Sequence, residues 1–225
     1  MSQRALVIAI DGPSGAGKGT VARTLAARLG YRHVDTGAMY RAVAWKAVEQ
    51  GLDPADADRL AAIARGARIE MDSTVRIDGH DVTQAIRTPQ IDRAAAIVAQ
   101  HQDVRAVLVA LQRQCGEGGA IVMEGRDIGS VVFPAADVKI YLDASPEERA
   151  RRRAGDAAHT ASREPESAAG VAEALAERDN ADRTRAASPL TVPADAVYID
   201  TTGLAIEEVV GRVLALVEAR APSVG

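Results

Sequence analysis

The sequence predicts an α/β fold: a five-stranded parallel sheet with helices on both faces, a small antiparallel insert and a short lid. Three observations carry that reading. Short apolar runs recur along the 225 residues, helical patterns separate most of them, and a Gly-rich turn follows the first run directly. Strands alternating with helices imply a parallel sheet covered on both sides, with ligands bound beyond the carboxyl ends of the strands.

In chain order, the strand candidates are ALVIAI (5–10), the weaker RHVD (32–35), AIVM (120–123), VKIYLD (138–143) and AVYID (196–200). Helical periodicity spans Lys18–Leu29, Ala38–Glu49, Ala94–Gln114 and Ile206–Ala219. Two segments depart from the alternation. Residues 68–83, RIEMDSTVRIDGHDVT, hold two short alternating runs and an Asp-Gly pair at 78–79, which predicts an antiparallel insert with a tight turn. Residues 154–170 are small, polar and aperiodic, and predict a loop between two charged helices.

Composition narrows the function. A net charge of −4 excludes a broad nucleic-acid surface, so any anion site is local. One Trp and one Phe give no stacking platform for single strands. The single cysteine, Cys115, forms no internal disulfide and suits a reducing compartment. No apolar run approaches the ~18 residues of a membrane helix, and a cleaved leader would remove the Gly-rich turn, so a cytoplasmic protein is expected. The four histidines show no metal-ligand spacing. Arginine outnumbers lysine 24 to 3, which makes Lys18 the more informative cation.

The turn DGPSGAGKGT (11–20) is a phosphate-binding loop in the context such a loop needs, after a strand and before a helix. Glycines allow backbone N–H groups to point at phosphate oxygens, the helix N-terminus adds positive potential, and Lys18 reaches the terminal phosphates. Gly19 stands where the usual pattern has Ser or Thr, with Thr20 one step late. The loop implies a nucleoside triphosphate and leaves the acceptor open. A guanine switch is excluded because the sole asparagine, Asn180, is followed by Ala181. Asp35 could serve a hydroxyl acceptor as base.

Three further clusters are candidates for the acceptor. DTGAMYR (35–41) puts Thr36, Tyr40 and Arg41 at a helix start, which suits an anion but equally an ordinary N-cap with Tyr40 in the core. EGRDIG (124–129) projects Glu124, Arg126 and Asp127 from a strand end. Arg149, Arg152 and Arg153 share one helical face, as do Arg178, Asp182 and Arg185 on another. Such faces fit solvated helices, with Asp182 paired to Arg178, as well as cations that close on a transferring phosphoryl group.

These segments, with IRT (86–88), KIYLDASPEERARRR (139–153) and ERDNADRTRAASPL (177–190), resemble the bacterial cytidylate kinases, a short-lid branch of the nucleoside monophosphate kinases. The resemblance runs nearly end to end. It implies transfer of the γ-phosphoryl of ATP to CMP or dCMP by a cytoplasmic monomer with no nucleic-acid or membrane partner. Mg2+ would be held by nucleotide phosphates and water, with no direct protein ligand. ATP falls to Gly12, Pro13, Ser14, Gly15, Ala16, Gly17, Lys18, Gly19 and Thr20, with Arg149 and Arg153 at the lid edge. CMP falls to Asp35, Thr36, Tyr40, Arg41, Arg105, Arg126, Asp127, Arg178, Asp182 and Arg185. Lys18, Arg126, Arg152 and Arg185 would act on the transferring group. Residues 52–93 would be the monophosphate-binding insert and 154–166 the lid, within one domain over 1–225. One position departs: a serine that the family sets near the pyrimidine falls on Ala96, which implies weaker rejection of UMP. The DGFPR-type residues of adenylate kinase and the Gly-Gly-Gly run of shikimate kinase are absent.

Overall fold

The apolar runs at 7–11, 121–125 and 138–143 form strands buried on both faces, while those at 32–35 and 197–200 form partly exposed edge strands. The computed structural model describes residues 5–155 and 168–220. The main sheet contains β1 (Val7–Asp11), β2 (Arg32–Asp35), β6 (Ile121–Gly125), β7 (Val138–Asp143) and β8 (Val197–Asp200), in the order β2-β6-β1-β7-β8. All four pairings are parallel. The insert contains β3 (Ile69–Met71), β4 (Val75–Ile77) and β5 (His80–Asp81), paired antiparallel. Its Asp78-Gly79 turn has both residues at positive φ, 51° and 81°, the geometry that the Asp-Gly pair favours.

Strand alternation divides the core in two. Ile8, Ile10 and Val122 face the helices α1 (Lys18–Leu29) and α8 (Ile206–Arg220), through Leu25, Val210 and Val213. Ala9, Val34 and Met123 face the opposite layer, which includes α2 (Thr36–Glu49), α3 (Ala57–Gly66), α4 (Pro89–Val98) and α5 (Gln102–Cys115). Two further helices, α6 (Pro146–Ala154) and α7 (Ala168–Thr184), pack on each other through Ala150, Val171 and Leu175. The expected lid lies almost wholly in residues 156–167, outside the described residues.

One expected element is corrected. The continuous helical pattern over Ala94–Gln114 is two helices, with a break at residues 99–101. α4 starts earlier, at Pro89, where the Thr88 hydroxyl accepts from the Ile91 N–H. The chain turns at His101, whose backbone is extended and whose Nε2 lies 2.9 Å from the Pro54 carbonyl oxygen. That bond ties the α4–α5 corner to the segment before α3, a helix capped by Asp56 that the periodicity left unassigned.

Beyond β6 the chain makes a wide helical turn, Ile128–Val132, closed by i to i+5 bonds such as Phe133 N–H to Ile128 O at 2.7 Å. Asp11 fixes its position. The carboxylate accepts the Ile128 N–H at 2.8 Å and the Gly129 N–H at 2.7 Å. Burial raises the Asp11 carboxyl from an ordinary 3.8 to about 6, against the opposing pull of those two amides.

Because the folded-state value lies above the unfolded one, Asp11 contributes most below pH 3.8 and its contribution is lost as pH rises through about 6. Stability from denaturant titrations should therefore fall in the wild type relative to Asp11→Asn, by about 2 kcal/mol between pH 4 and 7. Parallel pH profiles for the two proteins would contradict it.

Candidate active site

The Gly-rich loop is shaped by close contacts that exclude side chains. Gly12 has φ 146°, and a Cβ there would lie 1.9 Å from the Leu142 carbonyl oxygen, so the chain leaves β1 directly over the end of β7. Gly17, at φ 90°, opens α1. The loop carbonyls are held individually: Ser14 O by Arg149 Nη1 at 3.1 Å, Ala16 O by the Thr201 hydroxyl at 3.3 Å, and Pro13 O by Lys18 Nζ at 2.7 Å. Lys18 is thereby folded over the loop. Burial, and then the charge of Arg126, lower its amine from 10.5 to about 7.

Across from the loop, β2 hands the chain straight into α2. The Asp35 carboxylate caps that helix through the Ala38 N–H and pairs with Arg41 Nη2 at 2.7 Å. Burial pushes the Asp35 carboxyl up, but Arg41, His33 and the capping amide outweigh it and hold it below the usual range. The Thr36 hydroxyl donates to the Glu124 carbonyl at 2.8 Å, joining α2 to β6. The Arg105 guanidinium lies 5.6 Å from the Tyr40 ring centroid, and burial raises the Tyr40 phenol to about 12.

The chain after β6 meets α5 and α7 in a buried ionic network. Arg105 pairs with Asp127, and Arg185 lies 3.7 Å from Asp127 and 3.5 Å from Asp182. Arg126 Nε donates to Asp182 at 2.8 Å. Asp182 thus pairs with a residue of another element and has no ion pair to Arg178, its partner in the solvated-helix reading. Burial, then the charge of Arg126, lower Arg178 to about 10. Tyr40 is both buried and part of the cleft lining, as either reading allows, whereas Thr36 is not the N-cap: Asp35 takes that place, and the Thr36 hydroxyl bonds to β6 while lining the cleft.

Loop, α2, α5, α6 and α7 enclose one cleft of about 760 Å3. Eleven basic and five acidic side chains line it. Among the expected residues, Ser14, Gly15, Gly17, Lys18, Gly19 and Thr20 line the loop side, with Arg152 and Arg153. Asp35, Thr36, Tyr40, Arg41, Arg105, Arg126, Asp127, Arg178, Asp182 and Arg185 line the other. Gly12, Pro13 and Ala16 lie beneath this lining. Arg149 does too: it is buried behind the loop, paired with Asp179, and braces Ser14 and Ala144. Arg152 reaches the Thr201 hydroxyl and carbonyl at 2.8 and 2.7 Å, and Arg153 pairs with Asp92 of α4.

Several lining residues carry no role in the sequence reading. Arg23 and Arg87 are cations among many in an arginine-rich chain, and Leu204, Ala205 and Ile206 form a small apolar corner with no motif of their own. Glu124, by contrast a strand-end candidate in the sequence, lines the cleft 2.9 Å from His33 Nε2. Asp179, between Arg178 and Asn180, does not line the cleft and acts through its pair with Arg149. Among the described residues no three His, Cys, Asp or Glu side chains group closely enough to hold a metal ion alone, and no helix is long and apolar enough to cross a membrane.

Known proteins resemble this chain in both sequence and fold. The family model described as cytidylate kinase matches residues 8–219. A cytidylate kinase of Solibacter usitatus is 50% identical over 219 residues, covering 97% of this chain and 94% of its own. One from Desulfitobacterium hafniense is 49% identical, covering 94% and 92%. A bifunctional pantoate ligase/cytidylate kinase of Synechococcus is 46% identical over 92% of this chain, which spans 43% of that longer protein. In structure, a gluconokinase from Sinorhizobium meliloti matches with a TM-score of 0.52 at 15% identity, covering 98% of this chain and 95% of its own, a likeness of fold alone. The loop before α1, the acid-and-arginine network beyond β6 and a match over nearly the whole length agree: this chain belongs to the cytidylate kinase family.

Proposed function

We propose that the protein transfers the γ-phosphoryl group of Mg-ATP to CMP or dCMP, giving ADP and CDP or dCDP. The observation that carries this is one shared cleft that both Lys18 of the loop and Arg126 of the EGRD segment line, close enough for the Arg126 charge to lower the Lys18 amine. ATP would lie on the loop, with Lys18, Arg152 and Arg153 about its phosphates, and Arg149 acting from behind by holding the loop. CMP would lie against Tyr40, Arg41, Arg126 and Arg178, its base read by Arg105 and Asp127 and its sugar by Asp182. Residues 52–93 would form the acceptor side of a single domain and 154–166 the lid.

The attacking atom is a phosphate oxygen, ionised at neutral pH, so no general base is required. Catalysis then consists of alignment and charge neutralisation by Lys18, Arg126, Arg152 and Arg185. Asp35 is committed to Arg41 and the α2 cap, which favours a phosphate acceptor over a hydroxyl needing a base. Mg2+, when bound with ATP, neutralises developing charge on the phosphates. Glu124 fits an ion reached through water: its carboxylate oxygens lie 3.2 and 3.5 Å from where a Gly19 side chain would begin, a space that the glycine leaves free. The protein would act as a monomer, and one free cysteine, Cys115, suits the cytoplasm.

A second reading has UMP as the main acceptor. Ala96 lines the cleft and offers no hydrogen bond to a pyrimidine. Coupled assay of ADP release with CMP, dCMP, UMP, AMP, GMP and shikimate separates these readings. The highest turnover is expected with CMP and dCMP, with slower turnover of UMP. UMP at the highest rate would establish the second reading, and nucleotide binding without turnover on any acceptor would indicate a sensor. Lys18→Ala should lower kcat by about 100-fold or more with little change in Tm, and near-normal turnover would overturn the assignment of the loop. Ala96→Ser should widen discrimination between CMP and UMP by about 1–3 kcal/mol in kcat/KM, and an unchanged ratio would remove Ala96 from the specificity account.

A further inference from the structure

Of the described histidines, His80 lies 6.3 Å from Trp45, ring to ring, and His101 fastens the α4–α5 corner. His33 instead touches the cleft. Strand alternation in β2 and β6 places His33, Asp35 and Glu124 on the face of the sheet that carries α1. There His33 Nε2 lies 2.9 Å from Glu124 Oε1, with side-chain exposures of 20% and 9%. A carboxylate only accepts, so the ring nitrogen donates.

Glu124 needs this restraint. Its backbone is pinned by Thr36, but its side chain has three rotatable bonds and stands among cations. Lys18 and Arg126 both feel its charge. Swung onto Lys18, the carboxylate would occupy the amine that the phosphates require. Held toward β2 by His33, it lies beside Gly19 at the mouth of α1.

We propose that His33 is a positioning residue, holding Glu124 beside Gly19 and off Lys18 so that one carboxylate oxygen serves the water shell of the divalent ion. This rests on reading the loop as a site for a metal–nucleotide complex. Outer partners that orient a metal-binding carboxylate affect ion affinity more than the nucleotide's own binding.

The test measures Mn2+ binding to the enzyme–ADP complex by the electron paramagnetic resonance of free Mn2+, together with ADP affinity in EDTA. His33→Ala should weaken Mn2+ binding by about 10-fold and leave ADP affinity in EDTA unchanged. His33→Gln, whose amide N–H can reach Glu124, should restore most of the loss, and His33→Leu, a fold control, should not. In a Glu124→Gln background, His33→Ala should add nothing further. Wild-type Mn2+ affinity in both His33→Ala and His33→Leu overturns the proposal. So does an equal loss in the Glu124→Gln background, or no ADP-dependent Mn2+ site in the wild type. A wild type that binds Mn2+ with ADP yet phosphorylates no CMP would defeat the kinase reading and leave this proposal standing.

Discussion

The two bonds from Asp11 to the Ile128 and Gly129 amides hold the two halves of the site in register. Asp11 ends the central strand, and the next residue begins the loop that carries Lys18. The amides belong to the turn that follows Arg126 and Asp127. One side chain therefore ties the base of the Gly-rich loop to the turn after Arg126 and Asp127. Backbone pairing supports the same join, since Asp11 lies opposite Gly125 on one side and Tyr141 on the other. Burying the carboxyl carries a cost visible in its raised pKa, and two short charge-assisted bonds offset part of it.

The cleft raises the opposite difficulty, too many like charges in a small volume. Carboxylates keep the guanidinium groups apart: Asp127 between Arg105 and Arg185, Asp182 between Arg126 and Arg185, and Asp179 against Arg149. Buried pairs of this kind contribute little net stability, but removing one partner leaves an uncompensated charge. Their role is to fix where each cation stands before any ligand arrives. Arg178 has no carboxylate so close among the described residues, and burial and then the Arg126 charge depress its pKa.

What the sequence made legible was local. The loop, the strand ends and the Asp-Gly turn are each dictated by residues within a few positions of one another, so pattern sufficed. What it hid depends on contacts between distant segments. The run through Ala94–Gln114 keeps helical periodicity across residues 99–101, and only a bond from His101 to Pro54, 47 positions away, gives the corner its hold. Arg149 shares a helical face with Arg152, yet Asp179 draws it behind the loop. Asp182 has Arg178 one turn away and pairs with Arg126 instead, 56 positions distant. The apolar corner at Leu204–Ile206 has no signature, because three apolar residues in a row set no period and join the cleft only through the tertiary fold.

The order β2-β6-β1-β7-β8 also has a consequence in time. The strand that leads into the phosphate loop is made first, but both of its neighbours come late: β6 starts at Ile121 and β7 at Val138. During synthesis the loop's own residues leave the ribosome more than a hundred positions ahead of the strands that flank it. Gly12 has no Leu142 to lie against, and Asp11 no amides to accept, until most of the chain has emerged. The loop therefore lacks the contacts that shape it for most of the chain's synthesis, and it takes its described form only once the central sheet has closed.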